Sequence, residues 1–590
     1  MNNSKTILGV NLSHDTAVAA VREGEVLVAI AEERLNRVKH CTGVTQFGKV
    51  IPYRSIRYCC EHLGISPNEV DLFVTNSCRS NALEQLRMQL IGIPEDRVRD
   101  VPHPGHHAAH AYSTLYCSPF DEAAVLILDT NGSFIERPGS IEAHSRLEKK
   151  EHYTCFHGDG SGMTVALSDF VFPGEVSLGE LYCIYSAALQ LSPRQGPYGF
   201  DDPLSAGGKL MGLAAHGKRP TIDRLWSYAE SHMSISLDAL VDRLGDLGFV
   251  EQADRSTFDR AFGFNFATMV ELKRRQDSLR EQRYLDLAAE AQSLLETATI
   301  EIARRLHAVT KSKNLCVAGG NMLNVTACTR ILEETPFERI FVQPAANDAG
   351  VAIGAALYGY REVLGGRARP YLEREYSTCL GHTYSNAEVR QAIDGPRGSA
   401  FLRRHVPSID DKVRALMPLL ASDQIVAVFD GGSEFGPRAL GHRSLLASPK
   451  NPGMKDKMNE LKRREWYRPV APVVLESAFP ELFTAPFSSA PYMTLAARCR
   501  PIVKELAPAI EHVDQTSRPQ TVTLERNPLL HALLVAAREA IGVPMLINTS
   551  FNIDGEPIVE TPLDAVATLD RAPLLDALLI GDWLLEKPKA

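Results

Sequence analysis

The sequence predicts an α/β protein of at least two unequal domains, and three observations carry that prediction. Short apolar stretches ending in polar turns or glycines alternate with segments of helical periodicity along the chain. A strand–turn–strand unit at the start returns in related form near residue 123, which points to an internal duplication. Helical periodicity lapses in GGRARPYLEREYSTCLGHTYS, around residues 361 to 385, before a second alternating series begins. At about 150 residues per domain the 590 residues allow roughly four units, and one to three large α/β domains fit equally.

In order along the chain, ILGVNLSHDTAVAAVREGEVLVAIAEERLNR reads as a strand, a polar turn displaying Ser13, His14 and Asp15, a second strand, a turn at Arg22 to Glu25, and a third strand. A helix over 54–63 with a turn at 67–70, the strand VDLFVTN and a helix over 82–90 follow. The strand AAVLILD meets the polar turn Thr130-Asn131-Gly132, and a further segment runs through Glu142 to Arg146. A small-residue helix is expected over 180–191, a Pro/Gly-rich loop over 192–208, and helix from about 262 to 309, charged at first and amphipathic later. LCVAGG is a buried strand ending in glycines; a helix through ACTRILEE, the strand ERIFVQP and the helix VAIGAALYGYREVL complete the first region. The second region has helices over 386–393 and 409–419, the strand QIVAVFDGG and a basic helix over 452–465. A strand over 470–475, the loop ELFTAPFSSAPY, a helix over 528–540, the strand PMLINTSFN and a short helix over 562–569 end it.

Composition narrows the function class. With 63 Lys+Arg against 72 Asp+Glu the formal charge is -9, which disfavours a broadly basic nucleic-acid surface and leaves room for local basic pockets. The start carries no leader-like segment and no run of 18 to 20 apolar residues follows, so the expectation is a cytoplasmic protein without a membrane span. Eleven cysteines without paired CxxC spacing read as free thiols in a reducing compartment.

Four of the 18 histidines fall in HPGHHAAHA. His106 and His110 stand four apart, so on a helix both imidazoles project from one face and can share a metal ion; a core or surface helix with incidental histidines is the plainer alternative. Asp129 at the end of AAVLILD and Asp348 in PAANDAG offer hard oxygen ligands. Two imidazoles plus carboxylates suit iron, manganese or zinc, with positions left for phosphate or substrate oxygen. Gly319 and Gly320, after LCVA and before Asn321 and Asn324, allow a close approach to phosphate or simply a tight turn. In the second region GGSEFGPRALGHRSLL and NELKRREWYRPVAPVVL hold Arg438, Arg443, Lys462, Arg463, Arg464 and Arg468, whose planar guanidinium groups suit phosphate oxygens, or form a solvated basic face. Asn548, Thr549, Ser550 and Asn552 end the strand in LINTSFN.

The ordered blocks GVNLSHDTAVAAV, EERLNRVKH, HPGHHAAHAYS, LILDTNG, KLMGLAAHG, AGGNMLNV, PAANDAG, EFGPRALGHRSLLASP, REWYRPVAPVVL and LINTSFNIDGEPIVETP span residues 7 to about 565. In this order they resemble the natural-product O-carbamoyltransferase family, whose members decorate nodulation factors, cephalosporins, aminoglycosides and ansamycins. The resemblance implies an actin-like ATPase (duplicated RNase H-like) domain over residues 1–365, a linker over 366–385 and a YrdC-like adenylate-forming domain over 386–590, with packing of its terminal segments on the first domain left open. It implies that ATP, with Mg2+, and carbamoyl phosphate give a carbamoyl adenylate, and that the carbamoyl group passes along a closed route to a hydroxyl of a small molecule, a sugar or polyketide antibiotic. It matches His106, His110, Asp129 and Asp348 to a metal site, with iron the implied ion; Arg438, Arg443, Arg464 and Arg468, with neighbouring Lys462, to the anion site; and Ser550 and Asn552 to its terminal segment. Asn131, Gly132, Lys209, Gly319, Gly320, Asn321 and Asn324 are the candidate nucleotide contacts, and His14, Asp15 or a carboxylate near the metal is the candidate base. A homodimer is left open, and a tRNA-threonylcarbamoylation-type enzyme or another actin-like ATPase is the alternative. Two departures stand out: Thr130 replaces a more usual glycine after the strand-end aspartate, and the loop before KLMGLAAHG is long.

Overall fold

The computed structural model describes residues 4–41, 44–45, 48–49, 52–76, 78, 82–90, 92–136, 147–191, 205–219, 224–256, 270–273, 279–553 and 555–588. The chain is an α/β protein that divides into two compact units, one formed by residues up to Leu27 and His40–Tyr376, the other by Val28–Lys39 and Ser377 onward.

The first unit is built on two sheets with one plan. In the first, Ile7–Asn11 lies between Ala17–Arg22, antiparallel, and Leu72–Asn76, parallel; Glu25–Ala31 and Val98–Asp100 form the edges. In the second, Ala123–Leu128 lies between Leu147–Gly158, antiparallel, and Asn314–Ala318, parallel; Met163–Val171 and Arg339–Val342 form the edges. Leaving aside the short strand Phe134–Glu136, which pairs only with Leu147–Gly158, the third, second, first, fourth and fifth strands succeed one another across both sheets, a repeat in keeping with the duplication read from the two strand–turn units. The central strands Ile7–Asn11 and Ala123–Leu128 are buried along their whole length, as strands covered on both faces must be.

Two helices cover the region where the site forms. His106–Leu115 packs against Val351–Tyr358, which is buried nearly all round and continues as a π-helical turn over Gly359–Val363. Glycine makes this closeness feasible: a Cβ on Gly354 would lie 1.7 Å from the Ala109 carbonyl oxygen, and one on Gly9 would lie 1.9 Å from that of Ala352. The small-residue composition of VAIGAALYG is thus a packing device.

The long helix is Gln282–Thr310, shorter than the sequence predicts; Val270–Leu272 is a strand paired with Val250–Ala253. Val-Glu-Leu alternates with period two, which suits a strand. Glu142 to Arg146, most of the 192–208 loop, and 257–269 and 274–278 lie outside the described residues.

The second unit centres on an eight-stranded mixed sheet in the order Leu402–His405, Trp583–Glu586, Ala577–Ile580, Val426–Phe429, Arg443–Ala447, Met545–Ser550, Ala471–Leu475, Gln520–Val522. Helices Ile409–Ala421 and Pro528–Ala540 and the apolar faces of these strands share one large core. Val28–Lys39 belongs here because Arg34 donates to the Gly436 carbonyl at 3.0 Å and Arg37 to those of Ile558 and Pro557, both at 2.7 Å. The basic helix is Met454–Leu461 rather than 452–465; the chain turns at Arg463, whose φ is 49°. Among the described residues no helix is long and apolar enough to cross a membrane.

Candidate functional site

In the first unit four buried ligand-type side chains converge. His106 and His110 face the same side of their helix, Asp129 follows the strand Ala123–Leu128, and Asp348 precedes the helix Val351–Tyr358. His106 Nε2 lies 3.3 Å from Asp129 Oδ2 and 3.5 Å from Asp348 Oδ1; His110 Nε2 lies 3.8 and 3.6 Å from the same two oxygens. Donor atoms sharing an ion at about 2.0–2.1 Å are roughly 2.9–3.4 Å apart, so these separations are close to a ligand set and long for hydrogen bonds.

The remaining atoms of the same groups are occupied from outside. Asp129 Oδ1 accepts from the Gly320 amide at 2.8 Å, Asp348 Oδ2 accepts from Ser13 Oγ, and His106 Nδ1 donates to Asn76 Oδ1 at 3.0 Å. Both His110 ring nitrogens and Asp348 Oδ1 are buried without a hydrogen-bond partner. A divalent cation satisfies these lone pairs, and the residues present therefore fit one. Burial opposes charge on His106, but Cys78, Asp348 and Asp129 outweigh it and raise its pKa well above the ordinary imidazole range. Burial and Asp348 oppose charge on Asp129, yet the two histidines hold its carboxyl below the usual range.

The Ser13–Asp15 turn borders this cluster. His14 Nε2 is 3.5 Å from Asp348 Oδ2 and its Nδ1 is 3.2 Å from Asp15 Oδ2, while Asp15 Oδ1 meets His40 Nδ1 at 2.9 Å. Burial works against the His14 charge, but Asp348 and Asp15 push its pKa up to about 10. Burial opposes ionisation of Asp15, and His14 and His40 hold its carboxyl below the usual range.

The glycines beside the cluster are required. A Cβ on Gly132 would lie 2.5 Å from His107 Nε2, and one on Gly319, at φ 98°, would lie 2.3 Å from the Leu128 carbonyl oxygen. Asn131 Oδ1 accepts from the buried Lys150 at 2.7 Å, and Lys150 also pairs with Glu180. Thr130 sits where Gly179 has no side chain, since a Cβ there would be 2.6 Å from Thr130 Oγ1. Asn321 keeps a buried, unpartnered Nδ2. Asn324 is committed elsewhere: its Oδ1 caps the helix Val325–Glu334 through the Ala327 amide, and its Nδ2 donates to Gln292. Lys209 is half-buried on the helix Gly207–Ala214.

In the second unit Arg438, Arg464 and Arg468 come together with Arg518, a residue not singled out from the sequence. Burial, then the positive charge of Arg468, pushes the pKa of Arg438 down to about 10 and that of Arg464 to about 9; burial, then Arg438, Arg468 and Arg464, holds Arg518 well below the ordinary guanidinium range. Guanidinium groups do not release their proton here, so the depression reflects the cost of burying the charges and, after it, their mutual repulsion, which an anion offsets. Opposing charge comes from Glu465, 3.7 Å from Arg468. Arg464 Nη2 and Arg518 Nε are buried without partners.

Three of the six basic sequence candidates do not join this cluster, Arg463 being exposed at the turn after Met454–Leu461. Arg443 is fully buried, donates to the Gly431 and His442 carbonyls at 3.0 Å each, and lies over the Phe429 ring at 3.7 Å to the centroid. Lys462 directs its ammonium to Ser550 O at 2.6 Å, Ser550 Oγ at 2.9 Å and Asn552 Oδ1 at 2.8 Å, tying down the NTSFN segment. Glu434 organises the loop that carries Arg438: its Oε1 accepts from the amides of Leu440, His442 and Arg443 at 2.7, 2.8 and 3.3 Å. Gln520 and Asn548 hold the carbonyls of Leu440 and Ala439 from the sheet side.

The family model described as carbamoyltransferase N-terminus matches residues 6–101 and 76–357, and that described as carbamoyltransferase C-terminus matches residues 417–587. Nodulation protein NolNO of Sinorhizobium fredii is 33% identical over 605 residues, covering 98% of this chain and 79% of that protein. Nodulation protein U of Rhizobium tropici is 28% identical, covering 93% of this chain and 91% of the relative. A solved structure of full-length HypF in the phosphate- and nucleotide-bound form aligns at a TM-score of 0.34 and 12% identity over 61% of this chain and 56% of that one.

Proposed function

Because the chain belongs to the carbamoyltransferase family, a membership its two matching halves establish, we propose that it is an ATP-dependent O-carbamoyltransferase acting on a hydroxyl of a small molecule. The observation that supports this most is the presence on one chain of two sites of opposite need: histidines and carboxylates with lone pairs free for a cation, and four crowded guanidinium groups that favour an anion. We read the first unit, with its repeated sheet plan, as actin-like and the second as YrdC-like.

In this reading Arg438, Arg464, Arg468 and Arg518 bind the phosphate groups of ATP and carbamoyl phosphate in the second unit and neutralise departing pyrophosphate. Carbamoyl phosphate, ATP and water give carbamoyl adenylate, phosphate and pyrophosphate, the carbamate oxygen forming its new bond to the α-phosphorus as pyrophosphate leaves. Lys462 keeps Ser550 and Asn552 in place beside that pocket.

In the first unit His106, His110, Asp129 and Asp348 hold a divalent ion, Fe2+ in preference to Mn2+ or Zn2+. Such an ion supplies Lewis-acid polarisation of a carbonyl or phosphoryl oxygen. Asp15 accepts from His14 Nδ1, and the carboxylate charge that keeps His14 protonated is offset where Asp348 holds a cation, freeing His14 Nε2 to take the proton of the acceptor hydroxyl as that oxygen bonds to the carbamoyl carbon and AMP leaves. Gly320, Asn321 and Asn131 line the side on which the adenylate phosphate rests.

The test is a mixture of the purified protein with ATP, carbamoyl phosphate and Mg2+, read by mass spectrometry for carbamoyl adenylate and by pyrophosphate release. Wild type forms both, and R518A and R464A lose both; H106A and H110A keep adenylate formation and lose transfer to an added alcohol. No adenylate from metal-reconstituted wild type sinks the first reaction, and unimpaired transfer by H106A sinks the assignment of the second.

A further inference from the structure

The four ligand-type residues come from His106–Leu115 and from the second sheet and its connections, yet their outer contacts come largely from the first sheet. Asn76 ends the strand Leu72–Asn76 and is paired in register with Asn11, which ends Ile7–Asn11. Asn11 holds Asp348: its Nδ2 donates to the Asp348 carbonyl at 2.9 Å, and its Oδ1 accepts from the Ser13 amide at 3.0 Å and lies 2.8 Å from the Ser13 hydroxyl, whose proton goes to Asp348 Oδ2. Asn76, 2% exposed, holds His106 through Nδ1. Two asparagines side by side thus fix one imidazole and one carboxylate.

We infer that Asn76 is a positioning residue that sets the tautomer and orientation of His106 and, as a neutral acceptor, tunes how strongly the site holds its divalent ion. This rests on the reading that the cluster binds an ion. By accepting from Nδ1, Asn76 leaves the Nε2 lone pair to the site, the role that a carboxylate or carbonyl plays behind many ligating histidines. The choice of an amide has a physical reason: Asp129 and Asp348 already bring two negative charges, and a third buried carboxylate behind His106 makes the imidazole more basic and the ion less electrophilic. The His106 backbone is held separately, its amide donating to Ser133 Oγ at 3.1 Å, so loss of the Asn76 amide frees the ring without unseating the helix.

The experiment uses the full chain, stripped of metal and titrated with Co2+ in competition with a chromophoric chelator, with the visible Co2+ spectrum recorded. Wild-type binding that H106A abolishes establishes the cluster as the site; absent binding, or H106A equal to wild type, refutes the metal reading and this inference with it. With the site established, N76A is expected to weaken Co2+ binding on the order of 10- to 100-fold and to shift the spectrum, and N76D to bind as tightly as wild type or more tightly. Binding by N76A within about twofold of wild type, or an N76D variant as weak as N76A, overturns the inference while leaving the metal reading intact. Should N76A fail to fold, the near-isosteric N76D decides: equal or tighter binding supports the inference and weaker binding overturns it.

Discussion

Gly354→Ala is the most direct probe of how packing builds the site. The helix Val351–Tyr358 follows Asp348, and Gly354 lies against Ala109, which is flanked by His106 and His110. A Cβ at 354 would stand 1.7 Å from the Ala109 carbonyl oxygen, whereas contacts under 3.0 Å are essentially never seen. The two helices must therefore separate by roughly 1.3 Å, and both touching groups are backbone or Cβ that cannot rotate away. Two donors bound to one ion at about 2.1 Å can be at most about 4.2 Å apart. The His110–Asp348 separation of 3.6 Å, widened by that displacement, goes beyond it. Overpacking with backbone movement costs about 1–3 kcal/mol or more, so G354A is expected to melt at lower temperature and to lose metal affinity by more than tenfold. Differential scanning fluorimetry and metal content after dialysis measure the two effects. Gly245, in the helix Leu237–Asp246, has nothing within 4 Å of its would-be Cβ, so G245A is the control and is expected to be neutral or stabilising by about 0.5–1 kcal/mol. A G354A protein with wild-type melting and metal affinity would falsify the view that this contact sets the ligand spacing.

Three further outcomes are expected. E434Q removes the charge that gathers three amides at Oε1 and places an NH2 group among donors, so about 2 kcal/mol of loop stability is lost and pyrophosphate protects the protein less against thermal unfolding, with metal content unchanged. K462M leaves Ser550 O, Ser550 Oγ and Asn552 Oδ1 without their ammonium donor and is expected to lower the unfolding midpoint in urea by the equivalent of about 1–3 kcal/mol; an unchanged midpoint contradicts the tying role. His232 donates toward Asp169 at 2.8 Å and toward Glu175 at 3.0 Å, and although burial opposes it, these carboxylates raise its pKa above 6.5. A raised folded-state pKa stabilises fully below the unfolded value and fades as pH climbs through the folded one. The stability gap between wild type and H232Q should therefore be widest near pH 6 and close at alkaline pH; a gap that widens with pH contradicts this.

What was legible in the sequence follows from how local each signal is. The i, i+4 histidines, the strand-end Asp129 and the helix-preceding Asp348 are each marked by the element that carries them, and the fold brings all four within 4.8 Å. The arginine cluster was only half legible. Arg438, Arg464 and Arg468 sit in dense basic stretches, but Arg518 stands alone between Ser517 and Pro519, and its place depends on the strand Gln520–Val522 pairing with Ala471–Leu475. Arg443 misled because a guanidinium beside glycines looks ligand-facing until the pairing of Val426–Phe429 with Arg443–Ala447 sets it over Phe429. Asn11 and Asn76 had a weak mark, a polar residue closing an apolar strand, which acquires meaning only once their parallel register puts them side by side. The candidate ligands are therefore marked by the single elements that carry them, while the groups that contact them are written in strand register. For this chain that separation makes outer-contact variants such as N76D the sharper instrument: removing a ligand shows only that the cluster is needed, whereas changing its support shows what the fold has tuned.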